Sequence, residues 1–168
     1  MGKEFYVICD NIRSLENIGS IFRTADALGI SKIFLCGISG KPPHHKISKT
    51  ALGAEEKIPF EYYKQIGRLV DKLKNPSAGA STELSRMSSG REKIQIIALE
   101  RDKKAIPYDK FKPRFPLALI VGNEVKGISK KILQKSDKII FLPMHGSKES
   151  LNVSVAFGVA GYEINKFK

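Results

Sequence analysis

The string Leu142-Pro-Met-His-Gly-Ser-Lys-Glu-Ser-Leu-Asn-Val-Ser-Val-Ala156 is the part of this chain best suited to chemistry. It runs from an apolar strand, through a loop too polar for a core, into a closing helix. Ser150 stands where an N-cap belongs, and a helix start offers free N–H groups and the positive end of the dipole. Such a start can hold a carboxylate or a phosphate without a cationic side chain. Two other stretches share this character: Asn17-Ile-Gly-Ser-Ile-Phe-Arg-Thr-Ala-Asp26 and Val121-Gly-Asn-Glu-Val-Lys-Gly-Ile-Ser129. Each puts polar groups where a buried strand ends, so the three predict one site built from distant pieces of chain.

The elements that must position these pieces are legible as short apolar runs at 5–9, 32–36, 94–99, 117–121 and 138–142. They are rich in Ile, Val, Phe and Leu with little alternation, as strands covered on both faces are. Ile18, Ile21, Phe22, Ala25 and Leu28 mark a helical stripe, with Asn17 as its expected cap and Gly29 as its stop. Tyr63, Ile66, Val70 and Leu73 mark a second. Ser129 is placed to cap a short helix through Gln134, and a last, largely apolar helix is expected from about Leu151. Strands alternating with helices predict an α/β fold with a mainly parallel sheet, whose ligands bind beyond the carboxyl ends of the strands. Residues 37–53 read as a loop and 75–93 as a mobile insertion. One domain, 1–168, with no separate RNA-binding domain, is expected.

Composition narrows the partner. Lys and Arg number 29 against 17 Asp and Glu, a net charge of +12, which favours a polyanion. The chain has no apolar run of membrane-spanning length and no secretory leader pattern. Its two cysteines, Cys9 and Cys36, fall in apolar runs, and a cytoplasmic location is expected. G-x-G-x-x-G, G-x-x-x-x-G-K-[ST] and G-x-S-x-G are all absent, which argues against dinucleotide, P-loop and serine-hydrolase chemistry. The three histidines, His44, His45 and His145, make no metal site.

Taken singly, the polar residues have plain structural roles open to them. Arg23 lies off the apolar stripe and suits an exposed helix charge or an ion pair with Asp26. Asn17 suits a cap, Glu124 a turn, and Gly122 a tight strand exit. Their order and spacing say more. The chain resembles the SpoU, or TrmH-type, ribose 2′-O-methyltransferases of the SPOUT superfamily. Asn17 through Gly29, with Asn and Arg six apart, is similar to that family's first motif. Gly122-Asn-Glu-Val-Lys-Gly-Ile-Ser129 is similar to its second, and the string ending at Ala156 to its third. Ala51-Leu-Gly-Ala-Glu55 also looks like a family segment.

The resemblance implies a SPOUT fold, with helices on both faces of the sheet and a deep C-terminal trefoil knot, an exception to unthreaded topology. It implies S-adenosyl-L-methionine held in a bent form, with Leu99, Gly122, Leu142 and Leu151 as cofactor contacts and no metal. It implies a homodimer in which Asn17 and Arg23 act across the subunits. Arg23 would activate a ribose hydroxyl, Ser150 and Asn152 would position the ribose or Arg23, and Glu124 would orient Arg23 or the third motif. The expected substrate is tRNA, with rRNA as the alternative. A non-catalytic RNA-binding factor of the same fold is a further alternative.

Overall fold

A computed structural model of the protein describes residues 3–75 and 93–168. The expected insertion at 75–93 lies, apart from its two end residues, outside the described residues. Among the described residues, seven strands form one sheet: β1 (Phe5–Asp10), β2 (Lys32–Cys36), β3 (Phe60–Tyr63), β4 (Gln95–Leu99), β5 (Ile106–Pro107), β6 (Leu117–Val121) and β7 (Lys138–Phe141). Their order is β3-β2-β1-β6-β4-β7-β5, and every pairing is parallel. The helices are α1 (Leu15–Leu28), α2 (His45–Ala51), α3 (Ala54–Lys57), α4 (Ile66–Lys74), α5 (Lys130–Lys135) and α6 (Val153–Asn165).

The pleat sorts the strand residues into two cores. Phe5, Val7 and Cys9 point to one face with Ile33, Leu35, Leu117 and Leu119, under α1, α2, α3 and α6. Tyr6 and Ile8 point to the other with Phe34, Ile96, Ala118 and Ile120, under α4 and α5. Continuous apolar runs are what a doubly covered parallel sheet needs, since both faces must be dry. In α1 the buried stripe is the expected one, and Gly29 ends the helix at φ 61° with its N–H on the carbonyls of Ala25 and Asp26. Gly19 lets α2 approach: a methyl group there would lie 3.1 Å from the Ala51 nitrogen. Gly161 does the same between α6 and Leu28 of α1, with 2.6 Å available.

Several expectations are corrected. Ser14, not Asn17, caps α1, its hydroxyl accepting the Asn17 N–H at 3.0 Å. Asn152, not Ser150, caps α6, which starts at Val153 rather than Leu151. Asn152 wins because its carboxamide oxygen reaches the Ser154 N–H at 2.9 Å. Residues 37–53 are not all loop, because α2 forms there with an unusual cap, the His44 Nδ1 accepting the Lys46 N–H at 3.2 Å. Tyr63 belongs to the edge strand β3 and not to the helix that follows it. The order also places β7 between β4 and β5, which are consecutive in sequence, so the chain leaving β7 runs past the connection from β4 to β5.

Candidate functional site

Parallel strands put all their carboxyl ends on one edge, and the three polar stretches meet there. Glu124, just beyond β6, anchors them. Its Oε2 accepts the Arg13 N–H at 2.9 Å. Its Oε1 accepts the Ser14 N–H and the Asn17 Nδ2, each at 3.0 Å. Asn17 Oδ1 then accepts from Asn152 Nδ2 at 3.0 Å. The Asn152 Oδ1 in turn takes the Ser154 N–H and, at 2.7 Å, its hydroxyl. One chain of hydrogen bonds thus crosses from the second motif through the first to the third. Partial burial pushes the Glu124 carboxyl up, but the N–H groups of Arg13 and Ser14, with Asn17, outweigh it and hold the group below the usual carboxylate range.

Next to this chain lies a cavity of about 450 Å³ at the ends of β4, β6 and β7. Leu99, Gly122, Leu142 and Leu151 line it, and so do Glu124, Ser150 and Asn152. Asn17 reaches the rim only through its bonds to Glu124 and Asn152. Arg23 does not line the cavity, and no hydrogen bond or ion pair holds it among the described residues, the Asp26 pair included. It lies about 9 Å along α1 from Asn17 and on a different side of the helix. Asn17 is thus bonded within the chain to Glu124 and Asn152, while Arg23 is free of polar partners among the described residues.

Residues not singled out in the sequence also shape the cavity: Glu100 and Arg101 outside the motifs, and Asn123 within the second. Glu100 follows β4 and ties two walls together, Oε1 accepting the Arg101 N–H at 2.9 Å and Oε2 the Ile128 N–H at 2.8 Å. Arg101 donates to the Glu149 carbonyl at 3.1 Å, joining the β4 exit to the third motif. Asn123 donates to the Asn11 carbonyl at 2.7 Å and accepts the Val125 and Lys126 N–H groups. Gly122 is forced by this turn, since a methyl group there would stand 2.8 Å from the Gly127 backbone. The signal for Glu100 was its place one residue past a strand, and for Asn123 its place in an Asn-to-Gly turn.

Leu99, Val121, Leu142, Leu151 and Val153 make a wall fit for a flat apolar body, and the acidic residues Glu100 and Glu149 belong to the same lining. That is the donor set a nucleoside bearing a sulfonium and an amino acid asks for, so the residues present fit S-adenosylmethionine. Among the described residues no group of three or more His, Cys, Asp or Glu stands close enough to hold a metal ion. Nor is any helix among them long and apolar enough to cross a membrane.

Fold and cavity together define an α/β protein with a cavity of small-molecule size at the carboxyl edge of a parallel sheet. Comparison with known proteins gives the family. Residues 4–162 match the model of the SpoU rRNA Methylase family. A tRNA (guanosine(18)-2'-O)-methyltransferase of Aquifex aeolicus is 31% identical over 98% of this chain and 70% of its own length. A putative TrmH family tRNA/rRNA methyltransferase of Bacillus subtilis is 31% identical over 95% of this chain, which spans 57% of that relative. The crystal structure of the SpoU methyltransferase AviRb of Streptomyces viridochromogenes in complex with AdoMet matches with a TM-score of 0.80 at 26% identity, over 99% of this chain and 58% of that one. The chain belongs to the SpoU rRNA Methylase family.

Proposed function

We propose that this chain is a homodimeric RNA methyltransferase that moves a methyl group from S-adenosylmethionine to a ribose 2′-hydroxyl, with tRNA as the first substrate to test. The observation that carries this reading is the Glu124–Asn17–Asn152 hydrogen-bond chain at the rim of a cavity lined by Leu99, Gly122, Leu142 and Leu151. The Aquifex relative supports tRNA; the family's own description keeps rRNA as the second substrate class. Arg23, Asn152 and Gly122 are all present, which speaks against a factor that has lost the reaction. In the knot reading, the segment 142–152 is threaded under the β4–β5 connection; the position of β7 and the Arg101–Glu149 bond support it.

The bound cofactor supplies an electrophilic methyl on a sulfonium. The protein's own groups do the rest. The cavity wall orients the donor, and Ser150 and Asn152 at the rim position the ribose. The Arg23 guanidinium, a fork of N–H donors, clamps the substrate and stabilises charge on the attacking oxygen. As the new O–C bond forms and the old S–C bond breaks, the hydroxyl proton passes to a phosphate oxygen of the RNA. Glu124, ionised at neutral pH, fixes the entry to α1. In-line placement of oxygen, carbon and sulfur makes orientation a large part of the acceleration.

The dimer comes from α6. Val155, Val159 and Tyr162 recur at i, i+4 and i+7 and remain exposed, an apolar stripe that a second copy would cover. Gly158 on the same helix packs over Thr24, the neighbour of Arg23, so a subunit seated on the stripe comes close to Arg23. Calorimetry with S-adenosylmethionine, then transfer of labelled methyl into unmodified tRNA and rRNA transcripts, tests the proposal. Label resistant to alkaline cleavage at one ribose supports it. No heat on mixing with the cofactor, or label on a base, overturns it.

A further inference from the structure

A second surface lies on the same edge of the sheet, beyond the ends of β2 and β3. Gly37 turns the chain at φ 62°, and the Tyr62 hydroxyl donates to its carbonyl at 2.8 Å. Ser39, itself buried, accepts the Ile12 N–H and donates to the Cys9 carbonyl, which pins the loop to β1. The pinned loop holds Ile38 out into solvent at 66% exposure, beside Tyr62 at 43%. An isoleucine held outward by a well-bonded loop buries little in its own fold. Lys41 sets its ammonium 5.0 Å from the Tyr62 ring centre. Exposed Lys64 and Arg68 follow β3, while the carboxylates of this region are engaged, Glu61 by Lys32 and the Tyr63 hydroxyl and Asp10 by the Asn11 carboxamide.

This surface is wired to the cavity. The Ile38 N–H donates to Asn11 Oδ1 at 3.2 Å, and the Asn11 carbonyl accepts from Asn123, which lines the cavity. Three strand spacings separate β3 from β6, about 14 Å. An aliphatic and an aromatic side chain beside a cation suit an unstacked base and its phosphate. A duplex buries its bases and would meet only the charge.

We infer that Ile38, Tyr62 and Lys41 form a platform for a single-stranded segment of the substrate RNA flanking the nucleotide in the cavity. A base lies against Ile38 and Tyr62, and Lys41 takes a phosphate. The inference rests on the proposed RNA substrate and deepens it.

Fluorescence anisotropy at fixed salt, with a single-stranded oligouridine, an RNA duplex of equal length and an unmodified tRNA transcript, tests it on the intact chain. Tyr62→Ala should weaken single-strand and tRNA binding about 5- to 100-fold, with duplex binding and the melting temperature nearly unchanged. Lys41→Ala should flatten the single-strand salt slope by about 0.7. Tyr62→Phe should keep most of the affinity, because the ring does the stacking. Wild-type affinity in both Tyr62→Ala and Ile38→Ser overturns the platform. So does an equal loss on duplex and single strand, or a loss in Tyr62→Phe as large as in Tyr62→Ala. Cofactor binding is read separately by calorimetry: a chain that binds no S-adenosylmethionine ends the methyltransferase reading and leaves the platform to its own binding data.

Discussion

Asn17 and Arg23 sit six residues apart on one helix, and their surroundings are opposite. Asn17 is bonded through both atoms of its carboxamide, to Glu124 on one side and Asn152 on the other. Arg23 is exposed and makes no polar contact among the described residues. A long cation left loose pays side-chain entropy when it is finally fixed, so it is useful where a partner supplies the fixing. The contrast separates a residue that builds the site from one that waits for something to enter it.

Arg23→Ala should break the contrast most sharply. Methyl transfer should fall by about a hundredfold or more, while cofactor affinity and melting temperature stay near wild type; unchanged turnover on the true RNA removes Arg23 from the mechanism. Next in size is complementation. Mixed dimers of Arg23→Ala and Asn152→Ala subunits should regain part of the activity that neither parent has, since one composite site stays whole. Verified mixed dimers with no recovery would place Arg23 in its own subunit's site.

Asn152→Ala tests the other member. It removes the cap of α6 and one partner of Asn17, so it should cost about 1 kcal/mol, or roughly 2–4 °C in melting temperature. A melting curve identical to wild type would mean that the hydrogen-bond chain contributes nothing to stability. The smallest effect should be that of pH on Glu124. Its folded pKa lies below the unfolded value, so its contribution is fully present above the usual carboxylate range and is lost as pH falls through the folded value. Wild type should therefore melt higher than Glu124→Gln at neutral pH, and the gap should close in acid. A gap that widens in acid reverses the sign and refutes the assignment.

The sheet was legible because its strands are apolar on both faces: 32–36 and 117–121 match β2 and β6 residue for residue. β3 escaped because it is a four-residue edge strand carrying Glu61, with no apolar run to announce it. α2 escaped because Pro42, Pro43 and two histidines read as loop, and a histidine cap leaves little trace in sequence. At the site, the resemblance pointed to Leu99, Gly122, Leu142 and Leu151, and all four line the cavity. The cap positions went astray because several Ser and Asn residues compete within a few positions. Only the fold shows that Ser14 and Asn152 win. Glu100 lies outside every motif, because its work is to tie one wall to another rather than to recur at a recognisable spacing.

The place of β7 has a consequence for synthesis. β5 pairs with β7 and with no other strand among the described residues, and β7 also closes the flank of β4. A nascent polypeptide with everything after β6 still inside the ribosomal tunnel has a sheet that stops at β4 and no third wall for its pocket. Such a half-made molecule lacks Phe141, Leu142 and Leu151 from its cavity wall, so the site is complete only after β7 and the segment following it have emerged.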